Sequence, residues 1–237
     1  MPTVTVDAET TRDVALPVEV RRADAVVVTW LVSLDAATRA LAGHEVAAPL
    51  EPVPMARGRA MVTMPFVRYL DGDLGSYNET GLAFVVRRRG DDEVASYIAH
   101  LPVDGAFTCA AGRQLWGFPK WVADDLVIER GDRGGRSRLD AGDGSTVEAT
   151  SGRGLVPLPA REVALTTYAG AEGTLRATPF TMRSAGLRIR PAGTTLRVAG
   201  DGPLVSDLRV LGLDRRRPVS TLWVARLTGT FGASRPA

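Results

Sequence analysis

At 237 residues, with 45% apolar and 24% charged side chains, the chain has the composition of a folded globular protein and is excluded from the disordered class. Its formal charge of +2 is compatible with an anionic small-molecule substrate without demanding one, and no one-sided basic patch with interleaved aromatics marks a nucleic-acid partner. No run nears the roughly 18 uninterrupted apolar residues of a membrane span.

The opening Met1-Pro2-Thr3-Val4-Thr5-Val6-Asp7-Ala8-Glu9 lacks a basic segment and an apolar core, so no secretory leader is expected. Ala25 to Val32, rich in β-branched residues, reads as a buried strand. Asp35 then caps an alanine-rich helix that stops at Gly43. Arg59 to Tyr69 and Gly81 to Arg89 read as strands joined by a polar loop over 71–79, and Val94 to Val103 as another. Ala106 to Trp116 favours helix, with Asp104 as its cap. Pro119 prevents that helix from continuing and biases Phe118 towards extended backbone.

Trp121 to Glu129 is strand-like. Beyond it, Gly-rich turns punctuate short strands at Thr146 to Thr150, Glu162 to Tyr168, Gly173 to Met182, Leu187 to Arg190, Leu196 to Ala199, Leu204 to Leu213 and Leu222 to Leu227. Many short strands argue for a mainly β fold, a sandwich or barrel with a few short helices. No repeat, linker or compositional break divides the chain, so residues 1–237 are read as a single domain.

Lys120 is the only lysine, against 28 arginines. A guanidinium stays protonated, whereas a lysine amine can lose its proton when desolvated and attack a carbonyl. The flanking Trp116, Phe118, Pro119 and Trp121 are suited to excluding water. Lowering an amine from about 10.4 to about 7 takes roughly 4–5 kcal/mol of differential destabilisation of the ammonium. Burial among these side chains is the expected source. The bland alternative is a surface lysine that escaped an arginine bias.

Gly112-Arg113-Gln114-Leu115-Trp116-Gly117-Phe118-Pro119-Lys120 resembles the signature of the acetoacetate decarboxylase superfamily. In that family a Gly-Arg pair precedes a Pro-Lys whose lysine forms a Schiff base; the acetoacetate decarboxylase lysine is itself the established precedent for an activated amine. The upstream Leu74-Gly75-Ser76-Tyr77-Asn78-Glu79-Thr80-Gly81 is similar to the family's Gly-rich turn with an active-site glutamate. The likeness extends loosely from about Val20 to the C-terminus. It implies a closed, cone-like β-barrel, a homo-oligomer, a small oxo acid as substrate, and Lys120 and Glu79 as the catalytic pair. Glu79 would transfer protons at the substrate carbonyl; its alternative is a solvated turn carboxylate.

The chain departs from the family at two places. Trp121 replaces a second lysine common after the nucleophile, so activation must lean on burial. Met64 stands fifteen residues before Glu79, where the decarboxylases often carry another glutamate. That loss puts a β-keto acid substrate in question and leaves room for a Schiff-base aldolase or dehydratase on a larger oxo acid. A non-catalytic binding protein on the same fold is the third reading.

Arg113 either meets a substrate carboxylate or holds its helix. Arg22, or its neighbour Arg21, lies where the family places a carboxylate-binding arginine. Trp116, Phe118, Trp121 and Tyr77 either line a substrate pocket or fill core. One cysteine, Cys109, and two separated histidines, His44 and His100, give no expected zinc site and no intramolecular disulfide, with the reducing cytoplasm as the expected compartment. No Gly-x-Ser-x-Gly elbow, dinucleotide fingerprint or phosphate loop appears; since the imine that the resemblance implies is itself the electron sink, no metal or organic cofactor is expected.

Overall fold

The computed structural model describes residues 3–8, 11–171 and 173–237. Met1, Pro2 and Glu9, part of the opening segment read for a leader, lie outside the described residues. Among the described residues the fold is mainly β, with three α-helices.

The strand Val18–Ser33 explains the uninterrupted apolar run at its centre, because both of its faces are covered. Val26, Val28, Trp30 and Val32 are buried in the main core, while the alternate residues Ala25 and Val27 face an internal cavity. Val18–Ser33 pairs antiparallel with Arg59–Gly72 on one side and with Ser220–Phe231 on the other. Arg59–Gly72 continues to Tyr77–Thr80 and Leu82–Arg88, and both of these pair with Ala95–Val103. In the other direction Ser220–Phe231 pairs with Thr174–Pro191, which pairs with Arg161–Ala171. A short parallel register, Thr167 opposite Ser96 and Tyr168 opposite Tyr97, joins Arg161–Ala171 to Ala95–Val103. The pairings therefore close the sheet into a ring.

A separate four-stranded antiparallel sheet is made by Asp125–Arg130, Gly134–Asp140, Thr146–Gly152 and Thr194–Ala199. Its Leu126, Ile128, Leu139, Val147 and Leu196 share one apolar cluster with Val26, Trp30 and Phe66 of the ring. Asp24 fastens the two sheets. Its carboxylate accepts from Arg68 Nε at 3.0 Å and Nη2 at 2.6 Å, and from Arg130 Nη1 of the small sheet at 2.8 Å. Arg130 also lies 3.8 Å over the Trp223 ring.

Helix α1 is Leu34–Ala42, α2 is Ala106–Trp116 and α3 is Pro203–Val210. The N-cap of α1 is Ser33, whose hydroxyl accepts from the Ala36 amide at 3.2 Å; the expected cap, Asp35, instead sits in the first turn. Gly43 ends α1 in right-handed geometry. Gly105, not Asp104, caps α2, and Asp104 accepts from the Asn78 amide and side chain.

The largest correction concerns 204–213, read as a strand and found as α3 with its flanking turn. Pro203 supplies a pre-set first helical position, and Leu204, Val205 and Leu208 are buried at helical spacing. The segments 173–182 and 187–190 are one strand, Thr174–Pro191. The supposed loop 71–79 holds the start of the strand Tyr77–Thr80. Among the described residues no helix is long and apolar enough to cross a membrane.

Candidate active site

Lys120 opens the short strand Lys120–Val122, which runs parallel to the end of Ala95–Val103 with Leu101 opposite Lys120. Helix α2 is ended for this purpose. Gly117 adopts left-handed geometry, φ 69°, and its amide donates to the Arg113 carbonyl while that of Phe118 donates to the Gly112 carbonyl. A side chain at Gly117 would be strained there, which is the local reason for a glycine before Phe118-Pro119-Lys120. The chain reverses, and the Lys120 stem returns across the face of α2 at Gly112.

Glu79 reaches the same point from the ring. Its strand places it opposite Val67 on one side and Val103 on the other. Lys120 Nζ lies 2.8 Å from Glu79 Oε2, and the residues are only 4% and 7% exposed. Nζ also donates to Thr108 Oγ1 of α2 at 3.1 Å, and Tyr69 donates its hydroxyl to Glu79 Oε1 at 3.0 Å. Tyr77 stacks on Tyr69 with centroids 4.3 Å apart and sets its ring 5.0 Å from the ammonium.

The electrostatics correct one expectation. Burial does push the Lys120 amine down, but the charge of Glu79 and its hydrogen bond to the ammonium outweigh burial and hold the amine above its ordinary value. The free protein therefore carries an ammonium–carboxylate pair rather than a neutral amine. Burial likewise lifts the Tyr77 phenol to about 12 and Tyr69 well above its usual range; both remain hydrogen-bond donors at neutral pH.

One space adjoins both members of the pair and a second adjoins Glu79. A small cavity of about 20 Å³ is lined by Lys120, Glu79, Tyr77, Trp116 and Phe118 among others, enough for one water. A second, of about 340 Å³, is lined by alternate residues of the ring strands, such as Val27, Pro65, Ile98, Phe180 and Leu222. The two share Tyr69, Glu79, Phe118 and Phe231 as walls.

Of the residues singled out from sequence, Lys120, Glu79, Tyr77, Trp116 and Phe118 come together. The others do not. Met64 is fully buried in the main core, because the strand's alternation sends Thr63 and Pro65, not Met64, to the ring cavity. Trp121 borders a different cleft, beside Pro119 and His100. Arg22 and Arg113 are exposed and line neither cavity. Arg21 is held at the surface by Asp71 and Asp73, at 3.0 and 2.6 Å. Thr108, Tyr69 and the role of Gly112 were not anticipated. Thr108 and Gly112 are four apart on one helix face, a spacing readable in the sequence, whereas Tyr69 comes in through its register with Tyr77.

The sequence model described as acetoacetate decarboxylase (ADC) matches residues 1–182. The chain belongs to the acetoacetate decarboxylase family. It is 32% identical over 82 residues to acetoacetate decarboxylase 3 of Mesorhizobium japonicum, covering 34% of this chain and 31% of that one. It is 35% identical over 89 residues to acetoacetate decarboxylase 1 of Bradyrhizobium diazoefficiens, covering 37% and 35%. The matched stretch thus spans about a third of these curated relatives. Among solved structures, acetoacetate decarboxylase from Legionella pneumophila superposes with a TM-score of 0.71 at 19% identity, over 94% of this chain and 88% of that one. The enduracididine biosynthesis enzyme MppR complexed with pyruvate gives 0.63 at 16% identity, over 94% and 91%. At these identities the superpositions establish the acetoacetate decarboxylase fold.

Proposed function

We propose that this family member is a Schiff-base lyase in which Lys120 condenses with the ketone of an oxo acid and Glu79 moves the protons. The observation that carries the reading is the dry Lys120–Glu79 pair, 2.8 Å apart. A resting ammonium is no nucleophile. When a carbonyl enters the space beside Nζ, one proton passes from Nζ to Glu79 Oε2 and the neutral amine adds to the carbonyl carbon. Glu79 returns that proton to the carbinolamine oxygen, and water leaves to give the protonated imine. With a β-carboxylate in place, the bond to it breaks, carbon dioxide departs, and the bonding electrons flow into the imine. The resulting enamine takes a proton at carbon, and water releases the ketone product from Lys120.

The ring cavity favours a second outcome for the same imine. Its volume of about 340 Å³ exceeds what a four-carbon keto acid fills, and its walls are mainly apolar. A larger oxo acid would set its carbonyl in the small cavity at Lys120 and its tail in this space, past the shared walls Phe118 and Phe231. In this reading the imine loses a proton from the adjacent carbon, and the enamine adds to an aldehyde. MppR, of the same fold, has been crystallised with the condensation product of pyruvate and imidazole 4-carboxaldehyde.

Borohydride reduction in the presence of acetoacetate, pyruvate and longer oxo acids tests the reading. Mass spectrometry of the peptide carrying Lys120 is expected to show a reduced adduct that grows with tail length, and gas release separates decarboxylation from condensation. No adduct with any acid, or turnover retained in Lys120→Arg, would sink it. We further take residues 1–237 to work as one domain within a cytoplasmic homo-oligomer; light scattering on the purified chain checks the oligomer.

A further inference from the structure

A second group of chemically capable side chains lies apart from the lysine site. His44 follows α1, His100 belongs to the strand Ala95–Val103, and Asp207 belongs to α3. The Nε2 atoms of His44 and His100 lie 2.9 and 2.7 Å from the same atom, Asp207 Oδ2. All three ligand atoms fall within 4.8 Å of one another. Separation in the sequence had argued against a histidine metal site, yet the fold brings both histidines of the chain onto one carboxylate. We propose that His44, His100 and Asp207 form a binding site for a single zinc-class divalent cation.

The donor set is the first reason. Two imidazoles and a carboxylate are a zinc ligand set that leaves a fourth position for water. The geometry is the second. Bonds of about 2.0–2.1 Å at tetrahedral angles place ligand atoms roughly 3.3 Å apart. The two hydrogen-bonded separations are about half an ångström shorter, which rotation of the Asp207 side chain supplies. In binding, Nε2 of each imidazole turns from Asp207 to the cation, and each neutral ring carries its single proton on Nδ1.

Access and charge are the third. The three side chains are 11–18% exposed. His44 borders an open surface cleft of about 670 Å³ and His100 another of about 320 Å³. Of the arginines in the His44 cleft, Arg87 pairs with Glu51 at 2.8 Å and Arg89 donates to the Ala48 carbonyl at 3.2 Å, so neither takes the Asp207 carboxylate. A cation here ties α1, α3 and the strand whose next residue, Leu101, pairs with Lys120. It braces that strand without taking part in imine chemistry, and the proposal stands whether or not Lys120 is catalytic.

The test uses the untagged full chain, stripped with a chelator and titrated with Zn²⁺ by calorimetry. One equivalent is expected to bind with a rise in Tm, and Co²⁺ is expected to give visible bands of a four- or five-coordinate centre. His44→Gln and Asp207→Asn, checked for native circular dichroism, are each expected to weaken Zn²⁺ binding at least tenfold. Absence of saturable one-equivalent binding in the unsubstituted chain would reduce the cluster to a hydrogen-bonded clamp and overturn the proposal. Unchanged affinity in a folded His44→Gln or Asp207→Asn chain would overturn it equally.

Discussion

A β-carbon added at Gly112 would lie 2.5 Å from Cδ and 2.7 Å from Cε of Lys120. The glycine of the Gly-Arg motif is thus the groove in α2 through which the lysine stem passes. Gly112→Ala gains about 1 kcal/mol of helix propensity and loses about 1–3 kcal/mol to overpacking, so the net loss is about 0–2 kcal/mol. The amine, however, is pushed off Glu79. A displacement near 1 Å costs about a hundredfold in rate. Turnover of the acid identified by trapping should fall by that order while the melting curve shifts by only a few degrees; activity within twofold of the parent would show that the stem has another route.

The same contact shows what was legible in the sequence. Lys120 was conspicuous by composition and Glu79 by its motif, and the helix-to-strand junction followed from Pro119. The partners that complete the site come from pairings that no local pattern encodes. Tyr69 reaches Glu79 because two strands share a register, and Met64 is turned away because strand alternation is fixed by a neighbour elsewhere in the chain. The sign of the Lys120 shift was missed for a related reason. Apolar neighbours in sequence argue for a lowered value, and the carboxylate that reverses it arrives from 41 positions upstream. Leu204 to Leu213 was misread because a short apolar run fits strand and buried helix equally, whereas Pro203 at its head was the better guide.

Removing the amine while leaving its partner should be costly. Lys120→Met strands Glu79 as an unpaired charge in a dry site, and breaking a buried pair costs about 3–5 kcal/mol. Adding Glu79→Gln to that variant should recover much of the loss, since the charge is then gone from both sides. Urea unfolding of the two single variants and the double variant measures the coupling. A solvent-exposed lysine would change stability by no more than about 0.5 kcal/mol, so a near-zero result for Lys120→Met would contradict the buried pair.

Asp24 should prove equally demanding, through structure alone. Burial pushes the Arg130 guanidinium below its ordinary value, and Asp24 is the charge that opposes this. Asp24→Ala leaves Arg130 facing the ring with its carboxylate gone, at a cost of about 3–5 kcal/mol. Because Asp24 fastens the small sheet to the ring, the loss is expected with the Lys120 borohydride adduct still formed below the melting transition. Chemical denaturation together with trapping on the same sample checks both halves; an Asp24→Ala chain as stable as the parent would remove the fastening role.

The pH behaviour of Lys120 gives opposite readouts from one substitution. Its value in the folded chain is raised above the ordinary 10.5, so the pair's contribution to stability is fully present below that pH. It is lost only as pH rises through the higher folded value. At pH 8–9 the amine of the parent chain is therefore protonated, and acylation by acetic anhydride at Lys120 should be slow. Glu79→Gln removes the strongest upward influence and leaves burial, which acts downward. Each unit of fall multiplies the neutral amine about tenfold, so acylation of Lys120 in Glu79→Gln should rise by tenfold or more at pH 8.5. Turnover should nevertheless drop by about 10²–10⁴, the usual contribution of a positioned proton-transfer group. Peptide mapping after timed acylation, set beside steady-state rates, reads both. If labelling and turnover rise together, Glu79 only restrains the amine; if neither moves, the carboxylate has no hold on Lys120.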